Sequence, residues 1–164
     1  MSKSKPKKWS AEWRKRHTNW LCSKYDDRKL SKHFHAMELA SRGTGPHRAL
    51  CDAGWSFWKA RRRLKIVSKP LEKDRAAARK INPKAVVKIT SGVRTPTHNA
   101  SVGGAQYSRH LPAYYSATDC PPPAGVTLAQ WRDIRRSNWP GGIGYYPTQN
   151  FIHADLGPRR EWQG

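Results

Sequence analysis

Residues 151–156 read Phe151-Ile152-His153-Ala154-Asp155-Leu156. Side chains alternate across a strand, so Phe151, His153 and Asp155 share one face while Ile152, Ala154 and Leu156 share the other. The apolar set belongs against a core and the polar set faces a cleft. This stretch is predicted to be the final strand. Just before it, Gly141-Gly142 turns the chain into Ile143-Gly144-Tyr145-Tyr146.

Working outward, Thr127 is placed to cap a helix through Arg136, with Leu128, Trp131 and Ile134 inward. Cys120-Pro121-Pro122-Pro123 is rigid and extended, and its prolines carry no backbone donor. Residues 101–106 contain Gly103-Gly104 and are loop-like. Ala85-Val86-Val87-Lys88-Ile89-Thr90 is a β-branched run that reads as a strand. Upstream of it the spacing is helical. Pro70 is expected to open a helix over residues 71–80, which Asn82-Pro83 stops. Thr44-Gly45-Pro46 feeds another over residues 47–64, where Leu50, Gly54, Phe57, Trp58 and Arg61 recur at helical spacing. A short helix is expected to start near Ser31 and run through Met37-Glu38-Leu39. Ser10 caps a first helix carrying Trp13, Trp20 and Leu21 on one face. Helices first and strands afterward predict an α+β fold with a small, mostly antiparallel sheet.

At 164 residues the chain is most simply one globular domain, preceded by a basic arm whose first eight residues have nothing to bury. A net charge of +21 predicts attraction to polyanions: nucleic acid, anionic lipid or an acidic envelope polymer. Eight tryptophans offset a hydrophobic content of only 37%. Cys22, Cys51 and Cys120 are odd in number and widely spaced, which excludes a disulfide framework and predicts a reduced chain made in a cytoplasm. No apolar run reaches the length of a transmembrane helix, and no hydrophobic stretch follows the charged N-terminus as a signal peptide requires.

His110, Asp119 and His153 are the chemistry-bearing residues. Two histidines and an aspartate, each at an element edge, match an open zinc site with N and O donors and a fourth position for water. Asp155, two residues beyond His153, lies close enough to interact with that imidazole or with water.

Several motifs in order carry a family resemblance. Ser91-Gly92-Val93-Arg94-Thr95-Pro96-Thr97-His98-Asn99, Val102-Gly103-Gly104-Ala105 and Ser108-Arg109-His110-Leu111 resemble the zinc-dependent murein peptidases related to D-alanyl-D-alanine carboxypeptidases. Gly142-Ile143-Gly144-Tyr145-Tyr146-Pro147 and the segment from Phe151 to Gly157, ending in Arg160 and Trp162, resemble that family's closing part. Leu30 to Leu39 resembles its opening. The resemblance spans roughly residue 29 to the C-terminus, which divides the chain into a basic arm with a Trp-containing helix (1–28) and a zinc peptidase-like domain (29–164).

The resemblance implies His110, His153 and Asp119 as zinc ligands, Arg94 as a residue holding the substrate peptide, and Ser108 as a serine of the site. Two departures follow. The gap from His110 to Asp119 is about two residues long for such a pair, and strict spacing lands on Ala117, which cannot bind metal. Either the loop from Pro112 to Ser116 bulges and Asp119 still reaches the metal, or the site is altered; we read a bulge, since Asp119 is the only carboxylate nearby. The position where many relatives carry an acidic base is Asn150, so Asp155 becomes the candidate general base.

The expected function is zinc-dependent hydrolysis of peptide bonds in peptidoglycan, by a phage-type lysis or cell-penetration enzyme acting at the bacterial wall. The competing expectation is a basic virion- or nucleic-acid-associated binding protein that keeps the fold with an impaired site.

Overall fold

The change from helical to alternating spacing near residue 82 is where the fold divides. The computed structural model describes residues 29–39 and 57–164. The basic arm, the helix expected from Ser10 and most of the helix expected over 47–64 lie outside the described residues.

A 3-10 helix at Ala36–Leu39 leads, followed after the gap by α1 (Phe57–Ile81), α2 (Pro96–Ser101), β1 (Ala117–Cys120), α3 (Leu128–Asn138), β2 (Gly142–Tyr146), β3 (Phe151–Asp155) and β4 (Arg160–Gln163). The strands form one sheet in the order β1-β3-β2-β4. β3 is antiparallel to both neighbours and β4 runs parallel to β2. This is the expected α+β arrangement with a mostly antiparallel sheet, and α3 inserted between β1 and β2. The core lies between α1, α3 and the sheet, where Leu64, Val67, Leu71, Trp131, Trp139, Ile143 and Ile152 are buried.

Four local expectations are corrected. Pro70 does not open a helix but sits inside the 25-residue α1. A proline in a helix interior costs about 3 kcal/mol. Burying Leu64, Val67 and Leu71 on the same face returns about 1.5–3 kcal/mol each, which exceeds that cost. The helix expected from Ser31 shrinks to the 3-10 turn. Glu72 on α1 draws the preceding residues away: its carboxylate accepts from Ser31 Oγ (2.6 Å) and His33 N (2.8 Å) and pairs with His33 Nδ1 (2.8 Å).

Residues 85–89 alternate buried and exposed as a strand does, yet join no sheet among the described residues. A second cavity is lined by Lys84, Val86 and Lys88 together with Pro121, Pro122 and Pro123. The three prolines have no N–H to offer a ladder, so pairing with β1 stops at the single bridge Ser91↔Asp119. Finally, Phe151–Asp155 is not the last strand. β4 follows it, nearly all exposed, so no apolar alternation announces it.

The helix expected from Thr127 forms with a full capping box. Thr127 Oγ1 accepts from Gln130 N (3.2 Å) and Gln130 Oε1 accepts from Thr127 N (2.9 Å). Beneath it, Arg135 is fully buried between the rings of Trp131 and Trp139. Its guanidinium donates to Ile152 O (2.8 Å) and Thr118 Oγ1 and stands 3.4 Å from the Asp74 carboxylate. Asp74 also accepts from Trp139 Nε1 (2.7 Å) and Asn138 Nδ2 (2.9 Å). This buried network ties α1 and α3 to the strand residues next to Asp119 and His153.

Candidate metal centre

The sequence Ser91-Gly92-Val93-Arg94-Thr95-Pro96 builds one wall of the site residue by residue. Ser91 pairs with Asp119 through backbone bonds in both directions, Asp119 N to Ser91 O at 2.8 Å and Ser91 N to Asp119 O at 3.4 Å. A Cβ on Gly92 would lie 1.9 Å from the Leu39 carbonyl oxygen, so only glycine lets the chain pass there. Its own carbonyl receives His110 Nδ1 at 2.7 Å. Val93 is buried. Arg94 donates from Nε to Ser91 Oγ (2.7 Å) and from a terminal nitrogen to Asp119 Oδ2. Thr95 caps α2, with Pro96 in its first turn.

His110, Asp119 and His153 come together, all buried, with one donor atom of each lying within 4.8 Å of the others. The loop after His110 turns repeatedly between residues 109 and 114, closed by bonds from Leu111 N to Ser108 O and Ser116 N to Arg109 O (both 3.0 Å). Those turns absorb the extra residues, and β1 delivers Asp119 directly opposite His153. Ala117 pairs with Asp155 instead and is fully buried.

The donor atoms are well defined. His153 Nδ1 is 2.8 Å from Asp119 Oδ1, and His110 Nε2 is 3.1 Å from His153 Nδ1 and 3.2 Å from Asp119 Oδ1. Ligand atoms about 2.0–2.1 Å from a tetrahedral zinc stand about 3.3 Å apart, close to these separations. Each imidazole donates its other N–H outward, His110 to Gly92 O and His153 Nε2 to Asp155 Oδ2 (3.1 Å). The two inward nitrogens of the neutral rings therefore present lone pairs to each other and to a carboxylate. Such an arrangement is repulsive unless a cation or a proton lies between them. The residues fit zinc.

Electrostatics agree. Burial by itself raises the Asp119 carboxyl, but the charge and hydrogen bonds of His110 and His153 outweigh it and hold the group well below the usual range. Burial lowers His110, only partly countered by Asp119. Burial also opposes the His153 cation, yet hydrogen bonds to Asp119 and Asp155 prevail and push its pKa up.

The remaining predicted residues separate. Ser108 and Arg94 line the cavity, of about 590 Å³. Ser108 Oγ accepts from His110 N at 3.2 Å, holding the loop that carries that histidine. Asp155 is fully buried beneath the His153 ring rather than open to the cleft. It accepts from Gly157 N (2.7 Å), Gly142 N (3.1 Å) and the Arg160 guanidinium (2.7 and 3.3 Å) as well as His153. Burial raises its carboxyl, but those donors outweigh it and keep it ionised far below the normal range. Asn150 forms part of the β2–β3 turn at a positive φ of 54°.

Residues to which the sequence reading gave no role in the site complete the cavity. Trp162 lies 5.2 Å from the His153 ring and donates from Nε1 to Tyr146 Oη (2.9 Å), and Tyr146 stacks on Phe151 at 4.4 Å. Arg109, Arg160, Tyr107 and Gln149 also line it. A tryptophan in an otherwise polar C-terminal run, and an arginine next to a ligand histidine, were the available signals.

Comparison with known proteins adds an independent line. A Haemophilus influenzae protein named a probable peptidoglycan L,D-endopeptidase, MepK, is 40% identical over 85 residues, 49% of this chain and 44% of the relative. Peptidoglycan L,D-endopeptidase MepK of Escherichia coli K12 is 47% identical over 38 residues, 23% of this chain and 21% of the relative. The chain thus spans less than half the length of the curated relatives it matches. The sequence model of the Peptidase M15 family matches residues 71–155, about half of the chain, and takes in Arg94, His110, Asp119 and His153. With a His-His-Asp cluster compatible with zinc on an α+β scaffold, this chain belongs to the Peptidase M15 family.

Proposed function

We propose that this chain hydrolyses peptide bonds of bacterial peptidoglycan with zinc held by His110 Nε2, His153 Nδ1 and Asp119 Oδ1. The observation that carries this reading is the convergence of two outward-anchored imidazoles and a carboxylate on one point at the floor of a cavity. When bound, zinc supplies Lewis acidity that polarises an amide carbonyl and acidifies water. Arg94 holds Asp119 through its second oxygen and faces the substrate. Ser108 fixes the backbone of His110. Trp162, Tyr146 and Phe151 form an aromatic wall along which a peptide lies. The L,D-endopeptidase names of the relatives favour an internal L,D bond as the scissile amide. The charge of +21 suits an enzyme meeting an anionic envelope, in keeping with a phage-type lysis or cell-penetration role.

The test is digestion of purified sacculi with zinc-loaded protein, read by mass spectrometry of the released fragments. Peptide-bond cleavage that stops with a chelator and returns with zinc is expected. An unchanged muropeptide pattern, with no zinc retained and salt-sensitive DNA binding, would favour the nucleic-acid-associated alternative. The pH dependence has a definite sign. Zinc must displace a proton from His153, whose pKa is raised, so affinity is full above that raised value. Below it, affinity falls by about tenfold per pH unit for each proton displaced.

Asp155 is more consistent with positioning His153 than with shuttling a proton, since its oxygens are buried and already occupied by donors. Asp155→Asn is expected to lower zinc affinity by about 10–100-fold, measured by competition with a chelating dye. A base role predicts the opposite split: zinc held normally and turnover lost.

A further inference from the structure

Three guanidinium groups line the cavity: Arg94, Arg109 and Arg160. Two already have carboxylate partners within the chain. Arg94 is joined to Asp119 and Ser91. Arg160 grips both oxygens of Asp155 and the carbonyl of Pro158. Among the described residues the side chain of Arg109 makes no hydrogen bond or ion pair, although it is half-buried and its neighbours His110 and Ser108 are both fixed. Asp119 is the single carboxylate among the lining residues, and it faces Arg94 and the two histidines.

The position of Arg109 is built rather than incidental. Its guanidinium lies against Gly157, where a Cβ would stand 2.8 Å from Nε and 3.0 Å from Cζ. The backbone carbonyl of Arg109 accepts from Ser116 N, and that bond closes the loop leading to Asp119. A half-buried guanidinium at a cavity wall, with none of its nitrogens among the buried unpartnered atoms, stays open to a ligand, and its planar fork matches a carboxylate bidentately.

We propose that Arg109 reads a free carboxylate on the substrate residue flanking the scissile amide, so that an acidic stem peptide is accepted and its amidated counterpart is rejected. This rests on the peptidase reading above. It gives Arg109 a role apart from that of Arg94, whose guanidinium is already joined to Asp119 and Ser91. Arg94 would have to release Asp119 to take the same carboxylate.

The test uses two synthetic stem peptides identical except that the flanking carboxylate is free in one and a primary amide in the other. For the zinc-loaded full chain, kcat/KM is expected to be about 10–100-fold higher for the acid, in line with a charged hydrogen-bonded pair. Arg109→Gln is expected to remove that preference by slowing the acid peptide alone, chiefly through KM, with zinc content unchanged. Arg109→Lys should restore part of it. Equal rates on both peptides for the wild type, or equal slowing of both by Arg109→Gln, would overturn the proposal. If the wild type cleaves neither peptide, the peptidase reading fails by itself. Calorimetric binding of the acid peptide then decides: loss of affinity in Arg109→Gln upholds the carboxylate site, and unchanged affinity sinks it.

Discussion

Asp119→Ala is expected to reduce bound zinc from equimolar to trace and to bring peptidoglycan cleavage down to the background of the assay. Three protein ligands are the minimum for a catalytic zinc site, and here the aspartate is the single anionic donor among them. Its loss leaves two buried imidazoles facing each other at 3.1 Å and strips Arg94 of the carboxylate it holds. Metal analysis beside sacculus digestion reads both effects. The companion variant is Asp119→Ala with Ala117→Asp, which restores a carboxylate at the shorter spacing from His110. It should not recover zinc. Position 117 lies opposite Asp155, two residues along β1 from Asp119, so the new carboxylate would meet another carboxylate instead of the imidazoles. Recovery of zinc by that double variant would mean the β1 register is wrong.

Arg135→Met should be the most damaging substitution outside the site. Removing one member of a buried ion pair strands the other charge and costs about 3–5 kcal/mol, against a total stability of roughly 5–15 kcal/mol for an ordinary domain. Asp74 is fully buried, and burial already pushes its carboxyl pKa up despite the opposing charge of Arg135 and hydrogen bonds from Trp139 and Asn138. The same change deprives Ile152 O and Thr118 Oγ1 of their donor, next to the strand positions that carry His153 and Asp119. A lower urea midpoint and weaker zinc binding should therefore appear together. Arg135→Met combined with Asp74→Leu should recover much of the stability, because no unpaired charge remains. A single variant of wild-type stability would show that the pair contributes nothing.

Much of the local structure was legible in the sequence because short-range chemistry decides it. Thr127 and Gln130 make their capping box from groups three residues apart. Gly92 is required by a contact distant in sequence, yet its place in the Ser91-to-Pro96 motif still marked the wall of the site. The alternation of residues 151–155 put His153 and Asp155 on one face, where the structure finds their side chains joined. Pro70 shows the limit of such reading: the local rule ends a helix, and the tertiary burial of Leu64, Val67 and Leu71 carries it through. Residues 85–89 show the converse, with strand-like alternation and no ladder, because proline neighbours lack the donors.

The sequence by itself determined the fold class and the kinds of donor present: two imidazoles and a carboxylate on a helix-then-sheet chain. Only the tertiary structure decided the geometry. Eight residues lie between His110 and Asp119, and no spacing rule says where a loop that turns between 109 and 114 will set its last residue. Pairing of β1 with β3 places Asp119 against His153, since a strand register is chosen by the whole apolar face it buries. The roles of the charged groups were likewise beyond the sequence. Burial and a ring of donors turned Asp155 toward His153 and away from the cleft, and among the three arginines that line the cavity Arg94 and Arg160 are held by carboxylates of the described residues.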